Sequence, residues 1–372
     1  MSPQLEVQLI AIVIAAACAL PGVFLVLRRM AMLSDAISHT VILGIVLAYF
    51  LTHDLGSPLL FVGAALTGVV TVLLVEMLSG TRLVREDTAI GLVFPVLFSI
   101  AVILISLYAG NVHLDTDSVL LGELAFAPFD RMVVAGIDIG PRALVVGGGL
   151  LVLNLAFIGL FYKELKLATF DSGLATALGF MPVVIHYLLM ASVSVTAVGA
   201  FDAVGSILVI ALMIAPPATA YLLTDRLSRM IGLSVVIGML SAVSGYWLAR
   251  WLDVSIAGSM AAMTGVLFGG AWLFAPGRGL IAAARRRERW QQIAAGAAKQ
   301  MLTLHLLHHE DAPEADIECR IDHLRDHLRW SPDFALRVVA RASERGLVEA
   351  HGERLALRPP GRVMAHEAIA QM

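Results

Sequence analysis

Charge is what this sequence has least of. Only 15% of its 372 residues are charged, against 59% hydrophobic, and the mean hydropathy is +0.84. A soluble domain carries about 25% charged residues, so that class is excluded and an all-α polytopic membrane protein is expected. Cysteine is nearly absent. Cys18 and Cys319 stand far apart, which excludes a disulfide framework and a four-thiolate zinc site. No Lys or Arg precedes the first apolar run, so a cleaved signal peptide is not expected and the first helix stays in place. There is no G-x-x-x-x-G-K-S/T loop, so this chain is not expected to hydrolyse ATP by itself, and no H-E-x-x-H zinc motif. The net charge of -3 says little about partners, because the charges are unevenly placed.

What is present is a series of apolar runs of about 20 residues, each able to cross ~30 Å of hydrocarbon. They fall at 5–27, 33–51, 59–78, 88–108, 143–161, 182–200, 203–223, 230–248 and 254–274, giving about nine transmembrane helices. Arg28 and Arg29, Arg82 and Arg85, Lys163 and Lys166, Arg226 and Arg229, and Arg278 with Arg285, Arg286, Arg287 and Arg289 follow every second run. Basic connections stay in the cytoplasm, so the N-terminus is expected outside and the C-terminus inside. The segment 111–142, with Asp115, Asp117, Glu123, Asp130 and Asp138, reads as an exposed outer stretch with one short helix. It is either a cation funnel or a plain acidic loop.

Composition changes after Pro276. We expect a transmembrane domain at 1–280, a basic juxtamembrane linker at 281–289 and a small cytoplasmic α+β domain at 290–372. The last reads as helices at 291–308, 317–328 and 333–345, a short strand pair at 347–350 and 355–357, and a final helix after Pro359 and Pro360. A helix–turn–helix followed by a hairpin is a winged-helix pattern. Arg337, Arg341 and Arg345 recur every fourth residue of its third helix, a candidate phosphate-contacting stripe.

The most informative polar residues lie in the second run. Asp35 and His39 are one helical turn apart in apolar sequence, where an uncompensated charge costs roughly 2–3 kcal/mol or more. The i,i+4 spacing projects both from one helix face. Carboxylate plus imidazole is a half-site for manganese, iron or zinc, with Ser38 placed to orient one of them. An intrahelical Asp–His bond that neutralises itself is the competing account. The stretch F-D-S-G-L-A-T-A-L-G begins at Phe170 and carries Asp171 as an N-cap and Gly179 as a helix end. It is a docking helix for a cytosolic partner or an ordinary connection. In the seventh run Gly205 allows close packing, and Pro216 and Pro217 remove backbone donors. They form a gating hinge or a packing kink. Glu76 is placed to reach the interface, while Asn154 and His186 read as groups satisfied within the bundle. Asp202 is an outer acid able to attract cations.

At residues 22–47 the pattern G-x-F-x-V-L-R-R-M-x-x-x-x-D-A-x-S-H resembles the membrane subunits of the ABC transporters that import manganese, zinc or iron. R-E-D-T-A-I-G from Arg85, F-D-x-x-x-A-x-A-x-G from Phe170 and V-G-S-I-L-V-I-A-L-M-I-A-P-P-A-T-A from Val204 agree with it in order. The resemblance covers about residues 1–280. It implies a homo- or heterodimer of permease subunits in the bacterial inner membrane, with Asp35 and His39 lining the path. It also implies separate cytosolic ATPase subunits that bind ATP and dock at Asp171, Ala175 and Gly179, and an extracytoplasmic metal-binding protein. No permanently bound cofactor is expected; the metal is cargo. The tail resembles the winged-helix part of iron- and manganese-dependent repressors, which tilts the choice of metal toward those two.

Two other functions fit the sequence less well. A membrane-tethered metal-responsive regulator acting through the tail calls for a basic tail, yet from Trp290 onward ten Lys and Arg face twelve Asp and Glu. Nucleic acid is therefore not expected as a partner, and regulation or subunit contact is favoured. His305, His308 and His309 share a helix face suited to metal sensing, or are simply scattered surface histidines. An intramembrane metalloenzyme needs three or more strong ligands, and only Asp35 and His39 are obvious.

Overall fold

A computed structural model describes residues 2–54, 57–108, 124–134, 137–310, 317, 319–328, 330–352 and 354–370. The chain divides into two compact units, Met1–Leu280 and Ile281–Met372.

The first unit is a helical bundle in which, among the described residues, eight helices are long and apolar enough to cross a membrane. In order they are α1 (Pro3–Leu27), α2 (Ala31–Thr52), α3 (Pro58–Gly80), α4 (Glu86–Tyr108), α5 (Arg142–Leu160), α8 (Pro182–Leu223), α9 (Leu227–Leu252) and α10 (Ile256–Phe274). Two short helices, α6 (Tyr162–Phe170) and α7 (Ser172–Ala177), lie between α5 and α8. The acidic segment before α5 is described only from Leu124, so the short helix expected in 111–142 lies partly outside the described residues. Its described part is a turn followed by an antiparallel hairpin, β1 (Arg131–Val134) with β2 (Ile137–Pro141). Asp138 accepts from Arg131 and from the Gly140 amide at 2.9 Å, closing the hairpin. Asp115, Asp117 and Glu123 lie outside the described residues.

Helix α1 is the central element because its side chains are small. Ala15, Ala16, Ala17, Cys18 and Ala19 are fully buried. Without a hydrophobic force between helices in lipid, close backbone approach is what stabilises packing. A Cβ on Gly22 would fall 2.0 Å from the Met213 carbonyl oxygen, and one on Gly44 would fall 2.3 Å from that of Gly63. These glycines bring α1 against α8, and α2 against α3. Helices α4, α5 and α10 leave most of their apolar surface outward.

Helix α8 accounts for the difference between nine expected runs and eight helices. It spans 42 residues with a break at Gly205, φ 77° and ψ 163°. His186 bonds Arg28 at the end of α1, while Met213 packs on Gly22, also near that end. A straight helix would separate residues 186 and 213 by about 40 Å, so α8 folds back at Gly205. The stretches 182–200 and 203–223 are thus two arms of one element.

Asn154 ties three helices together. It is fully buried, donates to the Ala17 carbonyl at 3.0 Å and to Thr196 at 2.8 Å, and accepts from Ser192 at 2.6 Å. Asn154→Ala leaves those groups unpaired and is expected to cost about 2 kcal/mol. Thermal unfolding in detergent micelles would read this as a lower melting temperature. An unchanged value would mean that these bonds are replaced elsewhere.

The second unit contains most of α11 (Leu280–His309), which starts at the boundary, then α12 (Ile321–His327), α13 (Pro332–Glu344), β3 (Val348–His351), β4 (Arg354–Leu357) and α14 (Pro359–Ala370). The stretch 281–289, expected as a linker, is helical and belongs to α11. Strands β3 and β4 pair antiparallel, with Val348 opposite Leu357 and His351 opposite Arg354. Gly346, at φ 67°, ends α13. Leu302, Leu306, Leu324, Val338, Ala342, Leu347 and Leu355 form the core.

Candidate metal path and docking segment

Asp35 and His39 face the same way on α2, with His39 Nε2 3.4 Å from Asp35 Oδ1. Their neighbours Ser34 and Ser38 are buried and donate to the Ala31 and Ser34 carbonyls. The acid and the imidazole instead stay about one third open, at 34% and 31% exposure. From α4, Phe94 stacks on the His39 ring at 5.8 Å and Phe98 meets it edge-on at 6.1 Å. The imidazole is therefore held against two aromatic rings, one stacked and one edge-on, and lies beside the carboxylate. Among the described residues no group of three His, Cys, Asp or Glu side chains converges to hold a metal. Among the described residues, two potential donors stand together at this open face.

The segment 170–181 has two faces. Asp171 caps α7 by accepting from the Leu174 amide at 2.9 Å, Ala175 is fully buried, and Gly179 leaves the helix at φ 83°. Of these three residues, singled out from the sequence, Ala175 faces inward, while Asp171 and Gly179 are exposed and set the ends of the helix. The side chains turned outward are Phe170, Leu174, Leu178 and Met181. Sequence reasoning missed them because an apolar residue in a short helix gives no sign of which way it points.

A polar network lies beside this segment. Arg28 Nε donates to Thr169 on α6 at 3.2 Å, and Arg28 Nη1 lies 3.0 Å from His186 Nδ1 on α8. His186 Nε2 is in close contact with Glu76 on α3, which also accepts from Tyr187 at 2.6 Å. Glu76 thus meets partners inside the bundle rather than reaching the interface alone.

The remaining residues of interest are spread through the chain. Gly205 is the break in α8, whereas helical geometry runs on through Pro216 and Pro217. Asp202 lines a cavity of about 270 Å³ with Asp130 and Arg142. In the second unit Arg337, Arg341 and Arg345 are exposed along α13, opposite buried Val338, Val339 and Ala342. Burial first, then Arg345 and Arg341, holds the Lys299 ammonium below its ordinary range. The His305 and His309 rings lie 4.6 Å apart, with His323 6.4 Å from His305.

This arrangement has relatives. The chain is 50% identical to the zinc transport system membrane protein TroD of Treponema pallidum over 365 residues, 98% of each chain. It is 51% identical to the manganese transport system membrane protein MntD of Bacillus subtilis, over 77% of this chain and 96% of that one. Among solved structures it is similar to PsaBC from Streptococcus pneumoniae in complex with Fab. The TM-score is 0.61 and the identity 29%, covering 75% of this chain and 94% of the other. The profile of the ABC 3 transport family matches residues 4–275, and the chain belongs to that family.

Proposed function

We propose that this chain is the permease subunit of an ATP-driven importer of divalent transition metal ions, manganese, zinc or iron, in the bacterial inner membrane. The observation that carries the reading is the Asp35–His39 pair, open on α2 and backed by Phe94 and Phe98, in a chain of the ABC 3 transport family. Two donors on one chain leave room for donors from a second permease subunit, identical or related, and for water. A loosely held ion enters and leaves. Names of relatives include both zinc and manganese. Both ions suit carboxylate and imidazole.

ATP binds a separate cytosolic subunit, docked on the outward apolar side chains of α7, with Asp171, Ala175 and Gly179 holding that helix in shape. An extracytoplasmic protein delivers the ion. The basic connections face the cytoplasm, as does the second unit, whose balance of charge favours contact with protein over nucleic acid. Gly205, with Pro216 and Pro217 further along α8, supplies the bent element that moves during gating.

The test is uptake of radioactive manganese(II), zinc(II) and iron(II) by cells with and without this chain, the other subunits being present. Import of at least one ion is expected to require this chain and to stop when the ATPase subunit is removed. Equal uptake of all three ions with and without the chain would overturn the proposal.

A further inference from the structure

The geometry points to Arg28 as a positioning residue that links the movement of the docking segment to the metal-bearing helix. This inference rests on the reading of α7 as the ATPase docking element. Arg28 is the first of only three residues between α1 and α2. The connection is tight: Arg29 adopts φ 63°, and the Met30 amide donates to the Leu25 carbonyl at 2.9 Å. A displacement of the guanidinium is therefore passed to the start of α2, about one turn before Asp35.

On its other side Arg28 reaches Thr169, the residue before Phe170, which leads straight into Asp171 and α7. A single guanidinium thus bridges the docking segment and the helix that carries the metal ligands. The fork matters. Nε serves Thr169 while Nη1 serves His186, and only arginine presents both donors in one plane.

The polarity of the network follows from its chemistry. A guanidinium only donates, so His186 Nδ1 accepts and the ring proton sits on Nε2, facing Glu76. Glu76 is on α3, which packs along α2 through Gly44 with Gly63 and through the Thr71 to Thr40 hydrogen bond at 2.8 Å. The network therefore grips α2 at its start through Arg28 and along its length through α3. Arg28 Nη2 is buried and has no acceptor among the described residues. A buried donor left unpaired opposes stability, so packing alone does not account for an arginine here.

The test uses the whole transporter, purified with its ATPase subunits and reconstituted in proteoliposomes, with manganese(II) and zinc(II) as probes. ATPase-subunit retention, ATP hydrolysis and metal imported per ATP are read together. Thr169→Val removes the acceptor and keeps the shape. It is expected to retain the ATPase subunit and hydrolyse ATP while importing about tenfold less metal per ATP, the equivalent of one charge-assisted hydrogen bond. Thr169→Ser restores the hydroxyl and is expected to restore the ratio. Arg28→Lys keeps the charge but not the fork, and is expected to behave like Thr169→Val. A wild-type ratio of metal to ATP in Thr169→Val overturns the proposal even if the Arg28 variant fails to fold. The docking reading is tested separately by the Leu174→Asp, Leu178→Asp double variant. Retention of the ATPase subunit by that double variant would sink the docking reading, whatever Thr169 does.

Discussion

Asp35→Asn and His39→Ala are each expected to lower metal uptake by at least about 100-fold at matched membrane levels, with the ATPase subunit still bound. The estimate takes the upper end of the 10–100-fold loss typical when a metal ligand merely loses its supporting partner. Removing the ligand itself costs no less. Among the described residues no further His, Cys, Asp or Glu joins this pair, so each substitution weakens or removes one of two donors. Both side chains are about one third exposed, and neither supports the core formed by Leu33, Ile37 and Val41 on the other face of α2. Folding is therefore expected to survive. Uptake of radioactive manganese(II) and zinc(II), with immunoblots for both subunits, separates loss of transport from loss of protein. Normal uptake in both variants would reduce the pair to an intrahelical contact and move attention to Asp202 and Asp130 at their cavity.

Gly205→Ala is expected to destabilise the bundle by about 3 kcal/mol. Its φ of 77° and ψ of 163° fall where only glycine sits without strain. A side chain there costs about 1–3 kcal/mol, and the upper figure applies because both arms of α8 are packed and unable to relax the angle. Val204 and Leu208 beside it are buried in the core. The measurement is thermal unfolding in detergent micelles, with limited proteolysis near residue 205. A wild-type melting curve would mean that the reversal is held by packing alone. Pro216→Ala is a useful contrast, since helical backbone already runs through that position.

Several features were legible in the amino-acid sequence because their causes are local. Hydrophobic length marks membrane crossings, and a helical turn of 3.6 residues puts Asp35 and His39 on one face. Asp171 and Gly179 announce the two ends of α7 through their own hydrogen-bonding and dihedral preferences. The tail hairpin was legible for the same reason, since alternating apolar residues flank Gly352 in a tight turn.

Tertiary structure decided the rest. Arg28 and His186 are separated by 158 positions, and no periodicity in either neighbourhood signals that they meet. The direction of Leu174 against Ala175 depends on which side of a six-residue helix faces the bundle, and the helix is too short to show a pattern. The two runs at 182–200 and 203–223 were legible as separate crossings, but that they join as one element bent at Gly205 shows only once α1 packs against both arms. Sequence by itself determined that this protein crosses a membrane and which helix carries the acid and the imidazole. Only the packing of distant helices decided what those residues face and which residues lie between them and the segment 170–181, because such contacts form between surfaces that local preferences do not encode.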